Sequence, residues 1–330
     1  MRKIWAFIPL LLMIGACASN TTPKPTLPTL TPTIIPTITP TPAPAIISID
    51  NISKLTEIDR WQTLTLSKIT WNDEGTKVFI SDFDNVLVYD VTQLQHKQIS
   101  FDSYLKQEPH QNFLSIADQG NCDLTVDQFT ENPDKTILAT GWSYGHKQPP
   151  KTIISLWDVT NRKCLFRFPE FDGWLTALAF SPTGKFLISS TDTTRIWNVK
   201  KAEQTCKIVG REATFVPGKD LLAIVETRAW LDYQIGLWDI EKCEIIQKYK
   251  IGGLNPVFSP DGELLASNTG NHILIINAKT GELLKELDDH PQDVGTISFS
   301  PDGRFLLSGN YRESTNPGSM STFILWGIKP

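Results

Sequence analysis

The chain has 330 residues, of which 40% are hydrophobic and 20% charged, a composition typical of a soluble protein with enough length for a large core. Its formal net charge is −5 and no run of basic residues interrupts this acidic balance, which excludes a basic surface for nucleic acid or anionic lipid. Sixteen Phe and ten Trp favour β-structure, because aromatic side chains suit a pleated, half-buried surface.

The first 16 residues are typical of a secretory signal peptide. Arg2 and Lys3 precede an apolar run that is too short to span a membrane, and a pair of small residues follows it. The sequence Ile14-Gly-Ala-Cys17 resembles the lipobox of bacterial lipoproteins, and this resemblance implies cleavage before Cys17 and acylation of its thiol. Two or more acyl chains would anchor the mature protein to a membrane on its extracytoplasmic side, at the cell surface or in the periplasm. An ordinary secretory signal with an incidental Cys is the alternative.

Residues 17–45 are predicted to form a disordered linker that starts at the lipidated Cys17. From Asn20 to Ala45 the chain consists almost entirely of Thr, Pro, Ala, Leu and Ile, which have no means of building a core in this arrangement. Repeated Pro favours an extended polyproline conformation. The folded domain is therefore expected to cover residues 46–330.

One pattern occurs six times in that domain, and it consists of a strand, a four-residue turn and a second strand. Its clearest turns are Ser181-Pro-Thr-Gly184, Ser259-Pro-Asp-Gly262 and Ser300-Pro-Asp-Gly303. Pro presets φ at the second turn position, and Gly accepts a positive φ at the fourth. Weaker copies turn at Asn72, Asn132 and Val216.

Downstream of each turn, a third strand ends in an aromatic or apolar residue followed by a small or acidic one. The six pairs are Tyr89-Asp90, Trp157-Asp158, Trp197-Asn198, Trp238-Asp239, Ile276-Asn277 and Trp326-Gly327. A fourth strand follows the first five pairs. This pattern resembles the WD-repeat family, whose unit is a four-stranded blade of a β-propeller. The resemblance covers nearly all of residues 47–330 and implies an all-β, six-bladed WD-repeat β-propeller.

The last copy of the repeat provides only three strands. We expect Ile46–Leu55 to supply the fourth beside Thr322–Trp326, which closes the ring and removes exposed sheet edges. The interval of 68 residues between Tyr89 and Trp157 makes seven blades the alternative. Its excess falls short of the ~40 residues that a blade needs, so residues 101–120 are interpreted as an insertion.

Residues Gly141-Trp-Ser-Tyr-Gly145 match the G-x-S-x-G nucleophile elbow and resemble the serine motif of prolyl-oligopeptidase-like enzymes. An elbow requires a helix directly after the serine, and the two prolines that end His146–Pro150 disfavour one. We therefore predict a binding protein and no enzyme. A serine hydrolase at this loop, another enzyme that uses the central channel and a structural envelope protein are the alternatives.

Neither a metal nor a cofactor is expected, because the five histidines have no ligand spacing among themselves or with cysteine. His290 resembles the Gly-His step that enters a WD blade, which implies a structural hydrogen-bond network. Cys164, Cys206 and Cys243 are expected on the outermost strands of three successive blades, beyond the ~7 Å limit for a bridge, and Cys122 at the opposite face. No disulfide is therefore predicted.

The predicted loops between the second and third strands are longest in blades two, four and six. With the links between blades, they project from one face that is rich in Trp, Tyr and Arg, the residue types favoured in binding hot spots. Covering of blade edges is the alternative role for any one of these aromatics. We expect a monomer that binds a protein, peptide or glycan, and no nucleic acid, through Trp142, Tyr144, His146, Trp174, Arg228, Trp230, Tyr233, Tyr311 and Arg312.

Overall fold

Strands dominate the computed structural model, with one short 3₁₀ helix at Ile52–Lys54. The structure describes residues 43–63, 68–81, 85–100, 128–145, 149–229, 232–250, 252–310 and 320–329. They belong to a unit that spans Pro42–Pro330. The predicted signal peptide, Cys17 and most of the linker lie outside the described residues, as do the insertion at 101–120 and the site candidates His146, Trp230, Tyr311 and Arg312.

The described strands form six antiparallel sheets, each with four strands in the order in which the repeat supplies them. Strand β1 (Thr56–Thr63) belongs to the sixth sheet. The first sheet contains β2 (Lys68–Trp71), β3 (Lys77–Ser81), β4 (Asn85–Asp90) and β5 (Gln95–Ser100). The second contains β6 (Gln128–Glu131), β7 (Ile137–Tyr144), β8 (Lys151–Asp158) and β9 (Lys163–Arg167), and β10 (Phe171–Asp172) adds a short fifth strand beside β8.

The remaining sheets follow the same plan. The third contains β11 (Ala177–Phe180), β12 (Phe186–Ser190), β13 (Thr193–Asn198) and β14 (Glu203–Val209). The fourth contains β15 (Arg211–Phe215), β16 (Leu221–Ala229), β17 (Asp232–Asp239) and β18 (Glu244–Lys248). The fifth contains β19 (Leu254–Phe258), β20 (Leu264–Thr269), β21 (His272–Asn277) and β22 (Leu283–Leu287). The sixth contains β23 (Val294–Phe299), β24 (Phe305–Asn310) and β25 (Ser321–Gly327) together with β1.

The three clearest turns between the first two strands of a repeat have the chemistry that the sequence predicts, with a positive φ at Gly184, Gly262 and Gly303. In the fifth sheet, Gly262 N–H donates to the Ser259 carbonyl at 2.8 Å, and Gly262 has φ +74°. The Ser259 hydroxyl accepts the Leu264 N–H at 2.9 Å and donates to Asp261 at 2.6 Å. In the weaker copy at Asn132, the side-chain Oδ1 replaces the serine hydroxyl and accepts the Ile137 N–H at 2.8 Å. Short polar side chains thus satisfy the backbone inside the turn.

The core of the described residues contains six apolar clusters, of which one, around Leu138 and Trp157, lies within the second sheet and five each join two neighbouring sheets. These five link the first sheet to the sixth, and then the sixth to the fifth, the fifth to the fourth, the fourth to the third and the third to the second. The first strands of neighbouring repeats, from β6 through β11, β15 and β19 to β23, also lie against one another in that order. The sheets are therefore packed face to face in the order of the chain.

The strand that completes the sixth sheet lies one segment later than expected. Strand β1 pairs with β25, with Trp61 opposite Phe323, so the assignment of Ile46–Leu55 to this strand is wrong. That earlier segment bends where Asn51 Oδ1 accepts the Ser48 N–H at 2.9 Å, and it buries Ile47, Ile52 and Leu55 in the core instead. Apolar residues in this segment therefore serve packing, whereas the edge strand itself is mostly polar.

The predicted long loops of the second and fourth repeats are largely extended hairpins. Ladder pairing continues to Tyr144 opposite Lys151 in the second sheet, and to Ala229 opposite Asp232 in the fourth. Trp142 and Tyr144 consequently lie on a strand, which corrects the expectation that they belong to a loop. Strand pairing holds these side chains in more defined positions than a loop would.

Contrary to the prediction of no disulfide, Cys206 and Cys243 form one, with a Cα–Cα distance of 5.8 Å. Cys164 is disulfide-bonded as well. Cys206 lies within β14 opposite Ile196, not at the start of that strand, and Cys243 occupies the turn before β18 with φ +58°. The middle of β14 in the third sheet thus lies close to the turn before β18 in the fourth sheet.

Candidate partner-binding face

Two predicted site residues, Trp142 and Tyr144, form an aromatic pair on β7. They are alternate residues of one strand, so their side chains lie on the same face. Their ring centroids are 4.8 Å apart and the ring planes differ by 19°, which is a stacked arrangement. The Tyr144 hydroxyl donates to Glu170 at 2.9 Å, and this hydrogen bond raises the pKa of Tyr144. Both side chains are half-buried and thus present a partly accessible aromatic surface.

Charged side chains surround this aromatic pair. Arg167 pairs with Glu170 at 3.0 Å and Lys151 pairs with Asp172 at 2.5 Å. Exposed ion pairs contribute at most ~1 kcal/mol to stability, so the main effect of these two pairs is to hold the connecting segment in position. The Lys151–Asp172 pair joins the end of the β7–β8 hairpin to the segment that leads from the second sheet to the third, and the Arg167–Glu170 pair joins the end of β9 to the same segment.

Trp174 lies on that connecting segment and is 53% exposed. The backbone on either side of it is held to the second sheet by three hydrogen bonds. Gly173 N–H donates to the Pro150 carbonyl at 2.8 Å, the Thr152 hydroxyl donates to the Gly173 carbonyl at 2.6 Å, and Leu175 N–H donates to the Ser143 hydroxyl at 2.9 Å. An exposed indole on a fixed backbone is pre-organised for contact with a partner.

The G-x-S-x-G motif has a structural explanation in this region. Ser143 is 6% exposed within β7, and its hydroxyl bonds to Thr152 Oγ1 at 2.9 Å as well as to Leu175 N–H. A Cβ on Gly141 would lie 2.3 Å from the end of the Leu175 side chain, so glycine at this position leaves room for that side chain. The strand continues through the motif, and the serine is not on the strand-to-helix turn that an elbow requires.

Tyr233 lies on β17 in the fourth sheet, apart from the Trp142–Tyr144 pair. The Arg211 guanidinium lies 5.4 Å from the Tyr233 ring centroid and donates to its hydroxyl at 3.2 Å. Glu212 beside it accepts the Asn255 N–H at 2.8 Å, and both Glu212 and Asn255 have a positive φ. Sequence reasoning missed Arg211. Arg228 lies on β16, but its side chain is outside the described residues.

His290 takes part in a buried network with the closing tryptophan of the sixth sheet. Its Nε2 lies 2.7 Å from the Ser308 hydroxyl, which also accepts the Trp326 indole N–H at 2.8 Å. Trp157 and Trp197 donate in the same way to Thr140 and Ser189 in their own sheets, at 3.0 and 2.9 Å. The second, third and sixth sheets therefore share a tryptophan-to-hydroxyl bond, whereas the Trp238 indole nitrogen of the fourth sheet and His290 Nδ1 have no partner among the described residues.

Two segments of the chain, residues 162–198 and 281–315, match the family model of the WD domain, G-beta repeat. The chain is 28% identical over 193 residues to periodic tryptophan protein 2 of Arabidopsis thaliana and 23% identical over 251 residues to protein HIR1 of Candida albicans. It is 29% identical over 150 residues to an uncharacterized WD repeat-containing protein of Synechocystis. The comparisons support a WD-repeat family.

These alignments cover 56%, 76% and 42% of the chain but only 21%, 22% and 42% of the respective relatives. The chain thus aligns with less than half of the length of each of these relatives. WD repeats suggest a scaffold for protein–protein interaction. Within the described ranges, no three or more His, Cys, Asp or Glu side chains are grouped to hold a metal ion. No helix in this part of the chain has the length and apolar character to cross a membrane.

The buried His290 makes the folded domain sensitive to acid. Burial lowers the pKa of its imidazole to about 4, below the value of 6.5 that an unfolded chain has. The unfolded state therefore binds more protons between these values, so the contribution of His290 is complete above pH ~6.5 and falls by about 3 kcal/mol as the pH drops to ~4. In His290→Gln, urea denaturation at several pH values should show a weaker decline over this window. Parallel curves for the variant and the parent would contradict this assignment.

Proposed function

We propose that the chain is a closed, six-bladed WD-repeat propeller that binds a partner and catalyses no reaction. Six described sheets, the five apolar clusters between them and the pairing of β1 with β25 support this architecture. In a closed ring, the hairpins between second and third strands emerge on one face together with the links between blades. The partner is a protein, with a peptide or glycan as alternatives.

The observation that carries the proposal is the pre-organised aromatic group at the second sheet. Trp142 and Tyr144 are stacked, Trp174 is exposed, and hydrogen bonds and ion pairs hold the backbone that presents them. Rigid aromatic side chains beside Arg residues supply contact area at a low cost in conformational entropy. The chain therefore has a binding surface that is already formed in the absence of a partner.

Site-specific photo-crosslinking tests this face. A benzophenone amino acid at Trp174 should capture a discrete partner in cells that express the full chain. The matched control is the same amino acid at Leu165, which is 49% exposed on the outer strand β9 and thus similarly accessible. Equal capture at the two positions would place binding elsewhere, and capture at neither would favour a structural envelope protein.

We further propose that the chain is a lipoprotein on the extracytoplasmic side of a membrane, attached through Cys17. The lipobox resemblance supports this assignment, and so does the Cys206–Cys243 disulfide, because such bonds persist in oxidising compartments. The chain enters the domain at the opposite end from the extended hairpins, where Arg304 donates to the Pro44 carbonyl at 3.2 Å and Ile47 N–H donates to the Gly303 carbonyl at 2.9 Å. An anchor there leaves the aromatic face free.

Replacement of Cys17 by serine should abolish attachment to the membrane. Serine has no thiol to acylate, so incorporation of radiolabelled palmitate should fall to background and the protein should leave the membrane fraction. Cys122→Ser is the control, because the lipobox resemblance assigns acylation to Cys17 alone. Retention of label in Cys17→Ser would refute the anchor.

A further inference from the structure

A single charged residue, Arg195, occupies a core position of the third sheet. It lies on β13 two residues before Trp197 and is only 9% exposed. The other five sheets have uncharged residues, mostly apolar or small, at the equivalent position relative to the closing pair: Leu87, Ser155, Gly236, Leu274 and Ile324. The fold therefore does not require a cation at this point, and a buried charge is the informative exception.

The surroundings of Arg195 contain no counter-charge in contact. Its guanidinium lies over the Phe171 ring at 4.1 Å, and Nη1 donates to the Thr191 hydroxyl and the Thr193 carbonyl, each at 3.3 Å. No carboxylate of the described residues lies within 4 Å of it, and the neighbouring Asp172 is paired with Lys151. Nε and Nη2 donate no hydrogen bond within the described chain, and neither is sealed from solvent.

This arrangement is costly for a residue with a purely structural role. A buried cation with no carboxylate in direct contact loses more hydration free energy than a contact with an aromatic ring returns, and the attraction of Asp172 offsets this loss only in part. Burial accordingly lowers the pKa of Arg195. Lys207 lies directly opposite Arg195 on β14, and like charges in register weaken a sheet further. Leucine, as in the first and fifth sheets, would avoid these costs.

We propose that Arg195 is a recognition site for a carboxylate of the partner. The free Nε and Nη2 are the donor pair that binds a carboxylate through two parallel hydrogen bonds. Gly173 brings the connecting segment close to Thr191, because a Cβ there would lie 2.6 Å from the Thr191 Cβ. The exposed Trp174 follows at once and provides an apolar contact beside the charge. This proposal rests on the proposed function and specifies the chemistry of the same face.

Small carboxylates test the site on the full chain. With ¹⁵N-labelled arginine, the Nε–H resonance of Arg195 should shift saturably with N-acetylaspartate amide or with N-acetylglycine, but not with the neutral N-acetylasparagine amide. The first probe carries a side-chain carboxylate and the second a terminal one, so the larger shift identifies the source. The exposed Arg162 is the internal control. A linear shift of equal size at Arg162 and Arg195 would overturn the proposal.

Arg195→Leu separates recognition from folding. If Arg195 is kept for binding, this variant should have a Tm equal to that of the parent or about 2 °C higher, and the crosslink from position 174 should fall at least tenfold. A Tm lowered by more than about 4 °C would assign Arg195 a structural role and overturn the proposal. An undiminished crosslink would also overturn it while the proposed function stands, whereas absence of any crosslink in the parent would refute that function itself.

Discussion

Replacement of Trp61 by alanine is expected to lower the free energy of unfolding by about 4 kcal/mol, although Trp61 lies on an edge strand. Trp61 is 8% exposed and stacks on Tyr89 with a centroid distance of 4.0 Å, and on Phe323 at 5.7 Å. Tyr89 belongs to the first sheet and Phe323 to the sixth, so the Trp61 side chain packs against both sheets and stabilises the contact between them. Urea denaturation of the full chain measures the loss.

The adjacent Gln62 provides the matched control. Its side chain is exposed and, among the described residues, bonds only to the Thr322 hydroxyl, at 3.3 Å, so Gln62→Ala should cost less than ~1 kcal/mol. Both substitutions leave the backbone pairing of β1 with β25 intact. If Trp61→Ala and Gln62→Ala both have a small effect, then β1 pairs with the sixth sheet but does not stabilise its contact with the first sheet.

The repeated part of the fold was predictable from the sequence, because its signals are local. A turn such as Ser259-Pro-Asp-Gly262 specifies its own backbone and its own side-chain hydrogen bonds. Where the third strand closes in Trp157, Trp197 or Trp326, the tryptophan also indicates the register. Its partner on the second strand is two residues from the hydroxyl that receives the indole N–H, as for Trp197 and Ser189. These features depend on fewer than twenty consecutive residues.

The segment before the first repeat was predicted wrongly because its apolar pattern misleads. Ile46–Leu55 is rich in isoleucine, which is typical of a strand, yet its apolar residues pack in the core between the fifth and sixth sheets. Strand β1 reads as a polar segment, because it is an edge strand that buries Trp61 alone among its residues. Pairing with a strand more than 250 residues away leaves no local signal in either sequence.

For the candidate site, the sequence indicates residue types but not their neighbours. The stacking of Trp142 on Tyr144 follows from alternation along a strand, once that strand is known to extend through the motif. Arg195 was missed because a charged residue in a strand reads as exposed. Only the packing of Phe171 and Thr191 around it shows that it is buried.

Removal of the Cys206–Cys243 disulfide is the second large effect that we expect. The bond closes a loop of 37 residues, for which the chain-entropy relation gives a contribution of about 4 kcal/mol, or roughly 10 °C in Tm. The double variant Cys206→Ala and Cys243→Ala should therefore melt lower by this amount. Peptide mapping of the unreduced parent should show the two cysteine peptides joined. Alkylation of both thiols without a reductant would contradict the bond.

The same bond links stability to the compartment that we propose. In a reducing compartment the thiols stay free, so the parent retained there should melt like the double variant retained there, whereas the exported parent should melt about 10 °C above the exported double variant. Deleting the signal peptide from the parent and from the double variant provides the comparison. The two forms of the parent should differ in Tm by about 10 °C more than the two forms of the variant, which differ only in whether the bond of Cys164 is formed. If the exported and retained forms differ in Tm by the same amount for the parent and for the variant, export does not determine whether this disulfide forms.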